Sequence, residues 1–383
     1  MSYDVEALRR EEFPWAVAGE AIFLNNASTG PLPERSARVL CDWARLRSNP
    51  HRIAHDFQFG TLARSRELIA RLINADASEI ALATNTSFGM NLAAFALPLK
   101  AGDVVLSPDL EFPANVYPWM ALAERRGVSY RRLRCEQGVL EPAQLERELE
   151  DERVRAVTVS WVQFASGARV DLDALSAICR RRGVFFVVDA IQGVGPLTLD
   201  VRKTSIDILA CGAQKWLLSP WGSAFVYVRQ ELVQQLEPYD VSWLAVKGAD
   251  DFSRLTDYDM TWREDARRFE FITLPFQDMA GMNASLELFL ELGPENISAH
   301  SLALGDAITE WALCRDDVTL VTPADRSKRA AIVAVKPADA RAASQRLHEA
   351  GVAHSLREGA IRLSPHFYNT LDEVHRALEI IAR

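Results

Sequence analysis

Residues 183–221 read GVFFVVDAIQGVGPLTLDVRKTSIDILACGAQKWLLSPW, and this stretch decides the fold. It contains two mainly apolar runs, 184–188 and 206–210, each bounded by turn-forming residues. Short apolar runs of this kind are typical of buried strands in a parallel sheet. The first run ends in Asp189, and Lys215 lies just beyond the second. Because functional side chains of an open α/β sheet gather where its strands end, we expect the acid and the lysine to lie close together.

This acid–lysine pair suits a site for pyridoxal 5′-phosphate (PLP). The lysine can form a Schiff base with the cofactor aldehyde, and the acid can keep the pyridine nitrogen protonated so that the ring draws electrons. Gln192 follows the acid by three residues. Taken alone, the pair could also be a strand-capping Asp189 and a surface Lys215, so the rest of the chain has to decide between the two interpretations.

The composition is that of an ordinary globular enzyme. The chain has 383 residues, 49% of them hydrophobic and 25% charged, which is enough for a large core and two domains. Its net charge of −9 argues against nucleic acid or an anionic membrane as the main partner. The five cysteines are scattered without CxxC spacing, so they predict neither a metal site nor a disulfide framework.

Nothing in the sequence indicates a membrane segment. No apolar run approaches the roughly 20 residues that span a bilayer. The first 15 residues alternate in charge and contain no apolar signal core. We therefore expect a cytoplasmic enzyme.

Strand and helix patterns alternate from residue 80 onward, which predicts an α/β fold with a mostly parallel sheet and right-handed crossovers. Residues 223–228 look like a further strand that runs in the reverse direction. The expected strands before residue 183 are 80–83, 104–107, 128–133 and 154–159. After the first strand we expect a turn over 84–91 that leads into a helix through 97, and the later expected helices are 113–126, 142–149 and 171–182.

The chain should divide into three parts. The regular pattern weakens over 231–274, and the last 60 residues then read strand, helix, strand, helix. We expect an N-terminal segment, 1–20, that packs on the small domain, a large domain, 21–275, and a small α+β C-terminal domain, 276–383.

A second motif follows the strand at 80–83. Thr86 and Ser87 lie where a helix should start, and N–H groups at a helix N-terminus together with two hydroxyls form a natural phosphate site. Both residues could also be simple helix caps. Gly193 and Gly195 lack the third glycine of a dinucleotide fingerprint, so a nicotinamide dehydrogenase is only a runner-up. Phe112, after the strand at 104–107, could cover one face of a planar ring.

Together these residues resemble the class V aminotransferase superfamily of fold-type-I PLP enzymes, which includes cysteine desulfurases, kynureninase and isopenicillin N epimerase. The resemblance extends over nearly the whole chain. It implies the type I PLP-dependent transferase fold, a PLP cofactor, an amino-acid substrate and a homodimer with shared active sites.

The resemblance also assigns the cofactor contacts. Thr86 and Ser87 correspond to the phosphate-binding pair, and Phe112 to the side chain that stacks on the ring. In VDAIQ, residues 188–192, Asp189 would meet the pyridine nitrogen and Gln192 the ring hydroxyl. Gln214 precedes Lys215 where the family usually has His, and it is a further expected cofactor contact.

One expected contact comes from the partner subunit. Residues 268–273, RFEFIT, resemble the segment whose threonine, here Thr273, reaches the phosphate of the neighbouring subunit's cofactor. Ile272 replaces the usual glycine of that segment.

On the substrate side, the resemblance assigns four residues. Arg362, in RLSPHFYNT, would grip the substrate carboxylate. Asn26 lies in FLNNAS, which resembles the N-terminal active-site turn. Trp161 stands where desulfurases carry Asn beside the ring, and His51 lies in a stretch that resembles a segment at the active-site mouth.

The reaction type is less closely indicated. Desulfurases carry a nucleophilic Cys on a loop before the substrate-binding arginine, whereas here a tight turn at 355–362 takes its place. We therefore expect deprotonation of an amino acid at Cα by Lys215, followed by β-elimination of the C–S-lyase kind without a persulfide Cys. Epimerisation, as in isopenicillin N epimerase, and transamination are alternatives. A non-catalytic binding protein is disfavoured because Lys215, Asp189 and Arg362 are all present.

Overall fold

The computed structural model describes residues 3–383, so residues 1 and 2 of the expected N-terminal segment lie outside the described part. The strands are β1 (Ile22–Phe23), β2 (Ile80–Ala83), β3 (Val104–Pro108), β4 (Ser129–Leu133), β5 (Val154–Ser160), β6 (Phe185–Asp189), β7 (Ile208–Gly212), β8 (Ala224–Val228), β9 (Val318–Leu320), β10 (Val333–Pro337), β11 (Val352–Ala353), β12 (Ser355–Arg357) and β13 (Ala360–Leu363).

The helices include the four expected between residues 84 and 182, with small shifts at their ends. They are α1 (Val5–Glu12), α2 (Pro14–Val17), α3 (Glu34–Arg47), α4 (His55–Ile73), α5 (Thr86–Ala96), α6 (Tyr117–Arg126), α7 (Pro142–Glu148), α8 (Leu172–Arg182), α9 (Gln230–Val233), α10 (Phe276–Leu292), α11 (Pro294–Leu313), α12 (Ala340–Glu349) and α13 (Leu371–Ile381). The helix expected at 113–126 begins as a short 3-10 turn, Pro113–Asn115, before α6.

A seven-stranded sheet forms the centre of the molecule, in the order β2-β8-β7-β6-β5-β3-β4. Its neighbours β6 and β7 are parallel, with Asp189 opposite Ala210, and β8 is antiparallel to both of its neighbours. These pairings confirm the predicted mostly parallel sheet and its reversed strand. The central strands β6, β7 and β8 are mostly apolar, as expected for strands that are buried on both faces of a sheet.

A second sheet lies near the C-terminus. It is antiparallel, in the order β12-β13-β10-β9. The short strand β1 pairs in parallel with β11, and Ile22 and Leu24 belong to the same apolar cluster as the C-terminal strands. Residues 22–24 therefore pack with the C-terminal unit, although the sequence pattern places them at the start of the large domain.

The N-terminal segment is tied to the C-terminal unit by a buried ion pair. Arg9 donates to Glu373 at 2.8 Å and to the carbonyl of Tyr368 at 2.8 Å. The hydroxyl of Tyr3 donates to the carbonyl of Phe367 at 2.8 Å. Between residues 3 and 383, no helix combines the length and the apolar character that crossing a bilayer requires.

Candidate active site

Asp189 and Lys215 lie at the carboxyl edge of the large sheet, as predicted. Asp189 is the last residue of β6 and only 2% exposed, and one of its carboxylate oxygens accepts the N–H of Ile191 at 3.1 Å. Burial raises the pKa of Asp189 to about 6, while the nearby Lys215 opposes the shift. Burial lowers the pKa of Lys215 to about 8, and Asp189 opposes that shift as well. A neutral amine is therefore accessible at Lys215 close to physiological pH.

The segment around Lys215 is clamped on both sides by other parts of the chain. The carbonyl of Gln214 accepts the N–H of Gly30 at 2.9 Å, and the carbonyl of Trp216 accepts from Nε2 of His366 at 2.8 Å. A Cβ atom at Gly30 would lie 2.2 Å from the carbonyl oxygen of Lys215, so only glycine allows this approach. The lysine therefore projects from a rigid backbone.

Thr86 begins α5 beside the end of β7. Its hydroxyl oxygen accepts the N–H of Gly212 at 2.9 Å. Asn85 caps the helix by accepting the N–H of Phe88 at 2.9 Å, and Ser87 is exposed in the first helical turn. The helix start expected from the sequence is confirmed, and its positive end carries the two hydroxyls.

Phe112 lies near the lysine. The ammonium nitrogen of Lys215 is 5.5 Å from the centroid of the Phe112 ring, and the side chain is 41% exposed. The ring meets Phe164 edge-on, with 5.3 Å between centroids. An exposed aromatic face next to the lysine leaves room for a planar ring to stack.

Gln192 is buried in the turn after Asp189. Its carbonyl oxygen accepts the indole N–H of Trp216 at 2.7 Å, and its amide nitrogen donates to the carbonyl of Ala27 at 3.0 Å. Gln192 thus ties the lysine segment to the N-terminal turn, and one N–H of its amide stays available for a ligand.

Arg362 is buried without a carboxylate partner. Its guanidinium donates to the carbonyl of Phe164 at 2.6 Å and to the hydroxyls of Ser28 at 2.8 Å and Ser355 at 2.9 Å, while Nε has no partner. Burial lowers the pKa of Arg362 to about 10. Within residues 3–383 every partner of this guanidinium is neutral, so a carboxylate ligand would supply the missing charge.

Asn26 holds the N-terminal turn in place. Its amide nitrogen donates to the carbonyl of Ser364 at 2.8 Å, and its oxygen accepts the hydroxyl of Tyr368 at 2.9 Å. This N-terminal turn places the hydroxyl of Ser28 where it accepts a hydrogen bond from Arg362. Both polar atoms of the Asn26 side chain have protein partners, and the side chain thereby positions the turn.

Three further residues were expected at the site, Trp161, Thr273 and His51. The main-chain N–H of Trp161 donates to the carbonyl of Asp189 at 2.9 Å. The indole of Trp161 packs on Gly193, where a Cβ would be 2.1 Å from the indole ring. It also lines a cavity of about 900 Å³ whose described lining includes none of Lys215, Asp189 and Arg362. Thr273 and His51 are both exposed on this chain.

Sequence reasoning overlooked a buried carboxyl group. Glu111, directly before Phe112, accepts the N–H of Ser160 at 2.7 Å, the hydroxyl of the same serine, and the amide of Asn115 at 2.9 Å. Burial raises the pKa of Glu111 to about 7, and hydrogen bonds from Ser160 oppose the shift. Ser160 pairs with Asp189 across β5 and β6.

Ser28, Ser355 and His366 were also overlooked. Each lies inside or beside a motif that sequence reasoning quoted for another residue. Their roles depend on contacts between distant segments, which a linear pattern does not show.

Comparisons with known proteins agree with this geometry. The model of the family described as Aminotransferase class-V matches residues 22–376. The chain is 31% identical over 375 residues to isopenicillin N epimerase from Streptomyces clavuligerus, covering 94% of this chain and 93% of the relative. It is 28% identical over 385 residues to a probable cysteine desulfurase from Methanothermobacter thermautotrophicus, covering 92% of each.

A solved structure shares the fold. It is a mutant of C-DES with glycine covalently linked to the PLP cofactor, and it superposes with a TM-score of 0.88 at 22% identity, covering 98% of each chain.

Proposed function

The chain belongs to the class-V aminotransferase family, and from this premise we propose that it removes the Cα proton of an amino acid whose carboxylate Arg362 holds. It is a PLP-dependent enzyme of the cysteine-desulfurase-like kind. The observation that carries the proposal is a buried guanidinium without a carboxylate partner near a lysine whose pKa burial lowers to about 8.

The residues present fit PLP. Asp189 is a buried carboxylate with a single N–H donor in the described chain, so a protonated pyridine nitrogen would give it the partner that it lacks. The start of α5, with Thr86 and Ser87, suits the phosphate. Phe112 offers an exposed ring face, Gln192 a free amide N–H, and Gln214 the main-chain anchor of the lysine segment. When bound, PLP would supply an aldehyde carbon for the substrate amine and a ring that withdraws electrons from Cα.

Three side chains of the protein have separate roles in the proposed reaction. Arg362 fixes the substrate carboxylate through a planar fork, which orients the Cα–H bond. Lys215, as a free amine, takes the proton from Cα and can deliver it to the group that leaves Cβ. Asp189 holds a proton on the pyridine nitrogen, and burial keeps water from competing for it.

For the later steps we propose β-elimination, in which a sulfur- or carbon-linked group leaves Cβ. No cysteine occupies the hairpin formed by β12 and β13. Cys135, Cys179 and Cys211 are buried, and the exposed Cys41 and Cys314 lie on α3 and directly after α11. A hairpin without a cysteine supports release of the sulfur product without a protein-bound persulfide.

Incubation of the holoenzyme with L-amino acids in D₂O tests this reaction. Elimination from L-cysteine or L-cystine should yield pyruvate and ammonia, detected by mass spectrometry, and Lys215→Ala should yield neither. Lys203→Ala is the matched control, since this lysine is exposed and pairs with Asp200 on the surface. Exchange of the Cα proton for deuterium without formation of pyruvate would rule out elimination but would still support removal of the Cα proton.

Epimerisation is the second candidate, because the epimerase relative covers 94% of this chain at 31% identity. The same incubation separates it from elimination. It would give the D-amino acid with one deuterium at Cα, and transamination would give a keto acid without ammonia.

We also propose a homodimer whose partner completes each site. Thr273 is exposed and lies after a segment rich in exposed apolar side chains, among them Tyr258 at 90% and Met260 at 64%. Trp221, close to the lysine segment in sequence, is 76% exposed. Exposed apolar surface of this kind is typical of an interface. In this dimer Thr273 reaches the partner's cofactor phosphate, and His51 lines the mouth of the partner's site.

The division into an N-terminal segment, 1–20, a large domain, 21–275, and a small domain, 276–383, remains part of the proposal. The ion pair between Arg9 and Glu373 supports packing of the first part on the third. The pairing of β1 with β11 supports moving residues 22–24 to the small domain.

A further inference from the structure

The hairpin of β12 and β13 carries a cation that the proposed reaction does not use. Glu358 and Gly359 connect the strands with φ values of +46° and +77°. Two residues with positive φ are characteristic of the type I′ turn, which sets the register of a hairpin. Ser355 accordingly lies opposite Arg362, and Arg357 opposite Ala360.

The register places Arg357 on the face of the hairpin that meets the site. The hydroxyl of Ser355 contacts the guanidinium of Arg362 at 2.9 Å and donates to Asn25 at 2.6 Å. Side chains two residues apart on a strand point to the same face, so Arg357 shares the face of Ser355. It lies one step closer to the tip of the hairpin, at the rim of the site.

Arg357 is exposed and lacks an acidic partner. Its guanidinium donates to the carbonyl of its neighbour Leu356 at 3.3 Å, and the described residues place no carboxylate within ion-pair distance of it. An arginine in this state is free to pair with a ligand.

The positive charge of Arg357 acts on two residues of the site, Lys215 and Arg362. Burial is the main cause that lowers the pKa of Lys215 and of Arg362, and the charge of Arg357 lowers both pKa values further. This agrees with the hairpin register, which places Arg357 on the same face as Ser355 and Arg362.

We propose that Arg357 is a specificity-determining residue that selects amino acids with a second anionic group in the side chain. The proposal rests on the proposed function, because it assigns the α-carboxylate to Arg362. Once that carboxylate is bound, Arg357 remains the unpaired cation on the same face. Its planar fork matches a carboxylate or a sulfinate, and a neutral amide of the same shape would leave it without a counter-charge.

Equilibrium binding to the holoenzyme tests this inference without turnover as the readout. The probes are two isosteric pairs, L-aspartate with L-asparagine and L-glutamate with L-glutamine, together with L-alanine as the neutral reference. Binding is followed by the change in visible absorbance of the cofactor. We expect the better of the two acids to bind about tenfold more tightly than its amide. The preference should weaken as salt is added, because Arg357 lies at the rim.

Two variants and a control make the test specific. Arg357→Gln should bring the ratio of acid affinity to amide affinity close to one, with the affinity for L-alanine unchanged. Arg357→Lys should retain part of the preference for the acid. Arg341→Gln removes an exposed arginine from α12 of the same C-terminal unit and should leave the ratio intact.

The outcomes are distinguishable. A wild-type enzyme that binds L-alanine but shows no preference for the acids would overturn the role of Arg357 and leave the proposed function standing. The same holds if the preference survives in Arg357→Gln. A holoenzyme whose spectrum responds to none of these amino acids would overturn the role of Arg357, and the incubation with L-cysteine and L-cystine decides the proposed function separately.

Discussion

At the scale of single residues, Lys215 is the position on which the chemistry depends. Lys215→Ala should bind cofactor without a covalent link and lose roughly 10²–10⁴-fold or more in activity, because the general base is gone. The fold should persist, since the side chain makes no structural hydrogen bond with the described residues. Borohydride reduction of the wild-type holoenzyme, followed by peptide mapping, should label Lys215. A label on the exposed Lys203 or Lys247 would show that the assignment is wrong.

The pKa of the same residue gives a second prediction. Burial lowers the pKa of Lys215 from 10.5 to about 8. Between these values the unfolded chain binds the proton and the folded chain does not, so the contribution of Lys215 to stability rises with pH from about 8 to 10.5. In the cofactor-free protein, the rate of acylation at Lys215 should rise with a midpoint near pH 8, as followed by competitive labelling and mass spectrometry. A midpoint near that of the exposed Lys203 would contradict the shift.

At the scale of elements, α13 holds the Arg362 segment against the N-terminus. Thr370 and Glu373 form a capping box at the start of α13, and Glu373 also accepts a hydrogen bond from the guanidinium of Arg9 at 2.8 Å. Thr370→Ala removes only the cap and should lower the free energy of unfolding by about 1 kcal/mol. Glu373→Ala also removes the buried carboxylate that pairs with Arg9, which keeps only the exposed Glu6 at 3.9 Å, and should lower the free energy of unfolding by about 3–5 kcal/mol. Urea unfolding of the cofactor-free protein measures both free energies. Equal losses in the two variants would show that the ion pair between Arg9 and Glu373 does not contribute to stability.

At the scale of the whole molecule, the exposed apolar surface predicts a dimer. Sedimentation equilibrium at micromolar concentration should give twice the mass of one chain, since obligate interfaces bury roughly 2,000 Å² or more. Trp221→Asp should shift the protein towards the monomer and reduce activity, because Thr273 would no longer reach the partner's site. Leu313→Asp, at an exposed apolar position near the end of α11, is the matched control and should leave the mass unchanged. A fully active monomer would overturn the shared site.

The sequence by itself determined the local features of this protein. The apolar runs before Asp189 and Lys215 became β6 and β7, and their parallel pairing brought the two side chains to one edge of the sheet. Helix starts such as Thr86 followed from short-range patterns of caps and apolar spacing. Such features depend on neighbours within a few residues, so a linear pattern is sufficient to predict them.

Only the tertiary structure decided which distant segments meet. β1 pairs with β11 across the chain, and Ser28 and the carbonyl of Phe164 reach Arg362 from distant parts of the sequence. Trp161 packs on Gly193, and the buried Glu111 accepts the N–H of Ser160 at the end of β5. These outcomes depend on packing and on the burial of polar groups between segments remote in sequence. Their energies arise only when the chain is folded, so no local pattern contains them.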